Sequence, residues 1–304
     1  MSQLVSVAIP AYNHEKFIVD CLESVRGQDY QNIELIIIDD GSKDSTPQLI
    51  SQFIKTYEQR FSRVVFLSRP NRGVSFTSNE CFSHARGEWV HLLGSDDLMK
   101  PFKISRMMRA YEEWGDPDVA LIYSDADYID NRGTVVRVVD KVFPPGVDKN
   151  AYRRLFLSNC IPNPTLAIRR EAFEAVGGFD ESLFLEDWDM WLRLSARYPI
   201  ARIPEVLASY RYHVGNTHTR KAEMLEACLR SYGKFLEMHR ELLDTSMISR
   251  NWRKCLHRLL RWAKSNHRAL LPQLLCEVLM SWRCPKASRY IYYADILVSR
   301  RERS

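Results

Sequence analysis

Residues 33–46 read IELIIIDDGSKDST, and this stretch decides the fold. Leu35, Ile36, Ile37 and Ile38 form an uninterrupted apolar run, the pattern of a strand covered on both faces of a sheet. The run stops at Asp39-Asp40-Gly41. Residues 87–97, GEWVHLLGSDD, follow the same plan: a short apolar strand, then Gly94-Ser95-Asp96-Asp97. A third acidic cluster, Glu186-Asp187, lies in FLEDWDMWLRL at 184–194. Carboxylates at the ends of buried strands gather at one edge of a parallel sheet, the edge where α/β folds bind ligands. With a basic group nearby, they suggest a metal and a nucleotide diphosphate rather than a bare anion site.

Working outward, short apolar runs alternate with segments of helical period. Strands are expected at Val5–Pro10, Ile33–Asp39, Val64–Leu67, Trp89–Leu93 and Val119–Ser124. Helices are expected at Glu15–Gln28, from Thr46-Pro47 to Tyr57, at Ser75–Ala85 and from Pro101 to Trp114. Such alternation implies βαβ units and a doubly wound sheet. A hairpin at Tyr128–Val139, turning at Asn131-Arg132-Gly133, breaks the pattern. A strand at Thr165–Arg169, short helices at Arg170–Val176 and Asp189–Arg197, and an extended Ala201–Tyr212 complete a first domain, 1–220. Residues 221–304 show only helical period, broken near Ser265-Asn266 and Pro285.

A chain of 304 residues with 45% hydrophobic and 27% charged residues is long enough for one or two ordinary globular domains. No apolar run approaches the ~20 residues of a membrane span. The opening MSQLVSVAIPAYN lacks the pattern of a signal peptide. Seven scattered cysteines without a CxxC pair argue against a disulfide framework or a cysteine zinc site, and fit a cytoplasmic setting. The net charge of +5 is uneven. Residues 251–304 hold twelve Lys and Arg against three acidic residues, a net of +9, which leaves −4 on the rest. The basic tail interleaves its charges with Trp252, Leu256, Leu259, Leu260, Trp262, Leu270, Leu271, Leu274 and Leu275. Such a helix can lie on an anionic membrane surface, which would place the protein on the inner face of the membrane. The plainer reading is a helical subdomain packing its apolar face on the protein or on a second subunit. No nucleic-acid motif is present, and the acidic body argues against that partner.

Each candidate site residue has a functional and a structural reading. Pro10-Ala11-Tyr12-Asn13 puts an aromatic ring at the sheet edge, as a stacking face for a base or as a simple turn. Asp39 and Asp40 can accept a hydrogen bond from a base imide, favouring uracil, or belong to an Asp-Gly turn. Asp96 and Asp97, with Ser95, suit Mg²⁺ or Mn²⁺ bridging to phosphates, or cap the next helix. Asp187, with Glu186, is placed to act as general base on an acceptor hydroxyl, with Trp188 offering a flat face to a sugar, or the pair supplies an acidic first turn. Arg211 can hold a phosphate, and His213 a metal or a phosphate oxygen. Arg72, at a helix start, can face phosphates or water.

Four blocks in order, VSVAIPAYNHEKFIVDCLESVRGQDYQNIELIIIDDGSKDST, NRGVSFTSNECFSHARGEWVHLLGSDD, VGGFDESLFLEDWDMWLRL and YRYHVGNT, resemble the family 2 glycosyltransferases over residues 4–220. The resemblance implies the GT-A fold, a Rossmann-like, mainly parallel mixed sheet flanked by helices, here with a C-terminal helical extension. It implies transfer of a sugar from a nucleotide diphosphate donor, most often UDP-linked, to a carbohydrate or lipid-linked acceptor hydroxyl, with inversion, as in assembly of bacterial surface polysaccharides or glycolipids. It assigns Tyr12 and Asp40 to uracil, Asp96 to the metal with Asp97 beside it, Asp187 to the base, and Arg211 and His213 to the diphosphate end. Gly94 departs from the family's Asp-x-Asp-Asp, where a carboxylate helps to hold ribose or metal. That departure keeps open a catalytically inactive nucleotide-binding module. A nucleotidyltransferase would show a Gly-rich phosphate loop after the first strand, and IPAYNHEKF has none.

Overall fold

A computed structural model describes residues 2–138, 144–183, 186–213, 220–266, 270–279 and 285–301. The chain divides into two compact units. The first comprises Met1–Lys149, Cys160–Glu181 and Arg197–Val214; the second comprises Asn150–Asn159, Ser182–Ala196 and Gly215–Ser304.

The first unit is built on the expected sheet. β1 (Val5–Ala11), β2 (Ile33–Asp39), β3 (Arg63–Ser68) and β4 (Trp89–Leu92) are parallel neighbours in the order β3-β2-β1-β4. Every residue of β2 is buried, as its unbroken apolar run requires. The order reverses at β1: the chain proceeds outward to β3, then returns to place β4 on the other side of β1. Ala11 lies opposite Asp39, and Ala8 opposite Leu92. The carboxyl ends of β1, β2 and β4 therefore share one edge, and the switch between β1 and β4 opens the crevice expected there.

Helices α1 (Ile18–Arg26), α2 (Thr46–Tyr57) and α3 (Val74–His84) connect these strands, and α4 (Lys103–Trp114) follows them. α1 buries Ile18, Cys21, Leu22 and Val25 at helical spacing. At the start of α2, Asp44 Oδ1 accepts from the Thr46 backbone N–H (3.0 Å) and hydroxyl. α4 ends at Gly115, whose left-handed φ of 60° suits glycine.

The sheet then becomes mixed. β5 (Leu98–Met99) is a two-residue strand that periodicity does not reveal. β6 (Leu121–Ile129) runs five residues beyond the expected end and forms the hairpin with β7 (Val135–Val138). The last residue of the expected hairpin, Val139, lies outside the described residues. β8 (Gly146–Asp148) and β9 (Ala167–Arg169) are short, and β10 (Ile200–Arg211) is long. β9 runs antiparallel between β4 and β6, while β10 is parallel to β6 and antiparallel to β5. The result is a mixed α/β fold whose long ladders are parallel, with flanking helices.

A buried carboxylate ties the strands together. Glu34 on β2 accepts from Ser6 Oγ of β1 (2.5 Å), Arg63 Nη1 of β3 (2.9 Å) and the Gly87 N–H before β4 (3.0 Å). Burial opposes ionisation, but these bonds hold Glu34 below the usual carboxylate range. Gly87 is required here: a Cβ would sit 2.7 Å from the Ser6 nitrogen.

The second unit is helical: α5 (Ala151–Leu155), α7 (Glu186–Arg197), α8 (Lys221–His239), α9 (Thr245–Asn266), α10 (Leu271–Leu279) and α11 (Ala287–Arg301), α6 (Arg170–Ala175) being in the first. Its core is aromatic, with Phe156, Tyr232, Trp252 and Tyr290 in edge contacts. In the tail, Trp252, Leu256, Leu259, Leu270 and Leu274 are buried and used in packing, whereas Leu275 is 53% exposed. Among the described residues no helix is long and apolar enough to cross a membrane.

Candidate functional site

The shared edge of β1, β2 and β4 is where the candidate residues of the first unit collect. Asp40 follows β2, and its backbone N–H donates to the Ala11 carbonyl at the end of β1 (2.8 Å). Its carboxylate receives Arg69, the Arg72 N–H (2.8 Å) and the Gly73 N–H (3.0 Å). Three of about four lone-pair positions are thus filled, leaving one on Oδ2. Asp39 points elsewhere. It is buried and accepts from Ser68 Oγ (2.7 Å) and from the Ser42 N–H, so it closes the turn and is not offered to a base.

Tyr12 stands beyond the end of β1 and is 44% exposed, with a ring face open to solvent. Asn13 adopts a left-handed φ of 53°. It is held there by its N–H on Ser42 Oγ (2.9 Å) and by its Oδ1, which accepts from the Lys43 N–H (2.8 Å). Pro10 and Ala11 serve as β1 backbone. Arg72 is exposed and lies over the Phe76 ring, 3.2 Å from its centre.

The loop after β4 separates its two aspartates. Asp96 lies 2.9 Å, through Oδ2, from His213 Nε2, and 3.9 Å, through Oδ1, from His14 Nδ1. Burial raises its pKa, yet the hydrogen bond to His213 and the charge of His14 bring it below the usual carboxylate range. Asp97 turns inward, is 4% exposed, and accepts the Arg211 N–H at 2.8 Å. Burial and the neighbouring Asp96 push it well above the usual range. Two like charges side by side cannot both ionise cheaply, and the inward carboxylate is engaged by the β10 backbone. Arg211 is buried too. It is 1% exposed, and its guanidinium donates to the carbonyls of Asp96 (Nε, 2.8 Å) and Asp130 (Nη1, 3.0 Å) while stacking on Phe17 at 4.8 Å. It braces the aspartate loop.

His14 was not legible as a site residue. In sequence it is a lone histidine between Asn13 and Glu15. In space its Nδ1 is 2.7 Å from Ser95 Oγ, and one donor atom each of His14, Asp96 and His213 lie within 4.8 Å of one another. The pairing of β1 with β4 carries the two chain segments that follow them to the same sheet edge. Burial lowers His14 below the usual histidine range against the pull of Asp96, favouring the neutral, ligating imidazole. The nitrogen and oxygen donors of this cluster fit a divalent first-row cation. Gly94 has a local reason: a Cβ there would lie 2.9 Å from both Asp96 Oδ1 and Asp97 Oδ2.

In the second unit, Asp187 opens α7 and is partly buried. It accepts from the Trp188 N–H and from Asn159 Nδ2 (3.4 Å). Burial raises its pKa to about 6 against those bonds. Glu186 is the first residue of α7. Trp188 does not present a face to a sugar: it is 4% exposed, donates through Nε1 to the Leu155 carbonyl (2.9 Å), and packs edge-on to Tyr232.

The family model "Glycosyl transferase family 2" matches residues 6–177, more than half of the chain. The chain belongs to this family. The glycosyltransferase is 30% identical over 223 residues to the chondroitin synthase of Escherichia coli, an alignment covering 73% of this chain and 31% of that protein. It is 30% identical over 228 residues to an uncharacterized glycosyltransferase of Nostoc sp., covering 72% and 67%. The chain therefore spans under a third of the chondroitin synthase. Among solved structures, residues 1–349 of S. aureus TarS in complex with UDP-GlcNAc superpose with a TM-score of 0.67 at 18% identity, covering 97% of this chain and 88% of that one. A mannosyltransferase from Pyrobaculum calidifontis, in complex with GDP-Man and Mn²⁺, gives 0.60 at 16%, covering 97% and 87%. The glycosyltransferase thus has the GT-A fold expected of it.

The strut role of Arg211 is open to test. Lysine presents one compact charge and cannot reach both carbonyls. Arg211→Lys is expected to lower stability by about 2–3 kcal/mol, read by urea denaturation. A change below about 0.5 kcal/mol, within the range of an ordinary surface substitution, would contradict the assignment.

Proposed function

We propose that this glycosyltransferase is a metal-dependent, inverting enzyme that moves a hexosyl or N-acetylhexosaminyl group from a UDP-sugar to an acceptor hydroxyl in bacterial-type surface polysaccharide or glycolipid assembly. The observation that carries this reading is the grouping of Asp40, Asp96 and His213 at the sheet edge where β1 runs out into the exposed Tyr12. The UDP-GlcNAc complex of TarS supports the donor class, and the chondroitin synthase similarity supports a polysaccharide acceptor. The Mn²⁺ in the mannosyltransferase complex supports the metal.

In this account Tyr12 stacks on uracil, and the remaining lone pair of Asp40 Oδ2 receives the imide N–H. Arg69 and the 72–73 backbone keep that carboxylate ionised and aimed. Asp96 and His213 hold a divalent cation, which when bound neutralises charge on the departing diphosphate. Asp187 takes the proton of the acceptor hydroxyl as its oxygen attacks the anomeric carbon from the face opposite the diphosphate. No covalent intermediate is needed. The inactive-module reading rested on Gly94, and the close approach of Asp96 and Asp97 gives that glycine a packing reason instead.

Asp187→Asn is expected to bind UDP as the wild type does and to lose about 10²–10⁴-fold in transfer, measured with radiolabelled donor. Transfer at the wild-type rate would remove Asp187 from the base role. The pH dependence has a definite sign. Only ionised Asp187 accepts a proton, so kcat/KM should fall as pH drops through about 6. A profile flat down to about pH 4.5, near the ordinary carboxylate range, would contradict the assignment.

A further inference from the structure

The cluster at the sheet edge contains one more donor than the proposed reading uses. We propose that His14 is a third protein ligand of the cation held by Asp96 and His213, and that this set of two imidazoles and one carboxylate selects Mn²⁺ over Mg²⁺. The inference rests on the metal-dependent reading and specifies the chemistry of its site.

His14 is fixed from several directions. Its backbone N–H donates to Thr46 Oγ1 (2.9 Å), and its carbonyl accepts from the N–H groups of Phe17 and Ile18 (2.9 Å each) at the start of α1. The preceding Asn13 is locked in its left-handed conformation by Ser42 and Lys43. The ring stands edge-on to that of His213, with centres 5.7 Å apart, and edge-on to Phe17 at 6.1 Å. Ordering of this kind limits the entropy lost when a ligand set closes on an ion. Ser95 Oγ, at 2.7 Å from Nδ1, lies beside the cluster as a partner for the ring.

The donor types decide the ion. Mg²⁺ prefers an all-oxygen octahedron and keeps several waters. Imidazole nitrogen suits first-row transition ions, and the affinity order of such sites rises from Mn²⁺ upward. The donor atoms lie within 4.8 Å of one another, near enough to converge on one ion with a small side-chain movement. Gly94 completes the argument. A carboxylate side chain at that position would begin at a Cβ 2.9 Å from both Asp96 Oδ1 and Asp97 Oδ2, so those two carboxylates would have to move to admit it. A donor for the ion is supplied instead from the β1 turn, by His14.

Electron spin-echo envelope modulation of the Mn²⁺-loaded intact chain counts the imidazole nitrogens on the ion without any mutation. Two coupled imidazoles in the wild type and one in His14→Ala are expected. One imidazole in the wild type overturns the proposal. In parallel, free Mn²⁺ is followed by electron paramagnetic resonance, and Mg²⁺ is titrated in competition, on wild type, His14→Ala, His14→Gln and Asp96→Ala in the presence of UDP. Both His14 variants should lose about 10–100-fold in Mn²⁺ affinity and less in Mg²⁺ affinity. Loss in Asp96→Ala with wild-type affinity in both His14 variants sinks the His14 assignment alone. Wild-type affinity in Asp96→Ala, or no Mn²⁺ binding by the wild type, sinks the metal-dependent reading and this inference with it.

Discussion

The site depends on one buried clamp between the end of β10 and the loop after β4. Asp97 accepts the backbone N–H of Arg211, and the guanidinium of Arg211 returns to the carbonyl of Asp96. Neither group tolerates burial without partners, so the two segments must hold each other or both be hydrated. Because they hold each other, Asp96 faces outward from a fixed loop and His213, two residues beyond Arg211, meets it. The clamp joins positions 114 residues apart in sequence, and it needs β10 to run antiparallel to β5 at that point. A two-residue strand, Leu98–Met99, is therefore as important to the site as the long parallel ladders.

Much of the fold could be read in the chain because burial and period coincide there. The all-buried β2 and the amphipathic α1 follow from runs of aliphatic residues and from their helical spacing. The short strands β5 and β8 carry two or three residues each and leave no periodic signal. The early start of α7, at Glu186 rather than Asp189, shows the same limit at a helix end.

The site was legible by residue type but not by role. Asp96 and His213 are brought together, whereas Asp97 and Arg211, equally charged and equally near, engage each other's segments. What separates them is side-chain direction. Asp96 faces the histidines, while Asp97 faces the core, and a sequence holds no record of that difference. Trp188 illustrates the same point: an aromatic residue beside a carboxylate suggests a sugar platform, yet its ring fills the helical core and its indole N–H is used on Leu155. His14 is hidden for the opposite reason. Its partner Ser95 lies 81 positions away and reaches it only through the sheet, and nothing adjacent to His14 in sequence marks it as a ligand.

The account turns on the claim that the clamped aspartate loop presents Asp96 for metal-assisted binding of a nucleotide diphosphate. Calorimetric titration of UDP into the protein, with and without Mn²⁺, tests this most directly. The account predicts binding that requires Mn²⁺ and disappears in Asp96→Ala. Equal binding with and without Mn²⁺, or no binding under either condition, would contradict it.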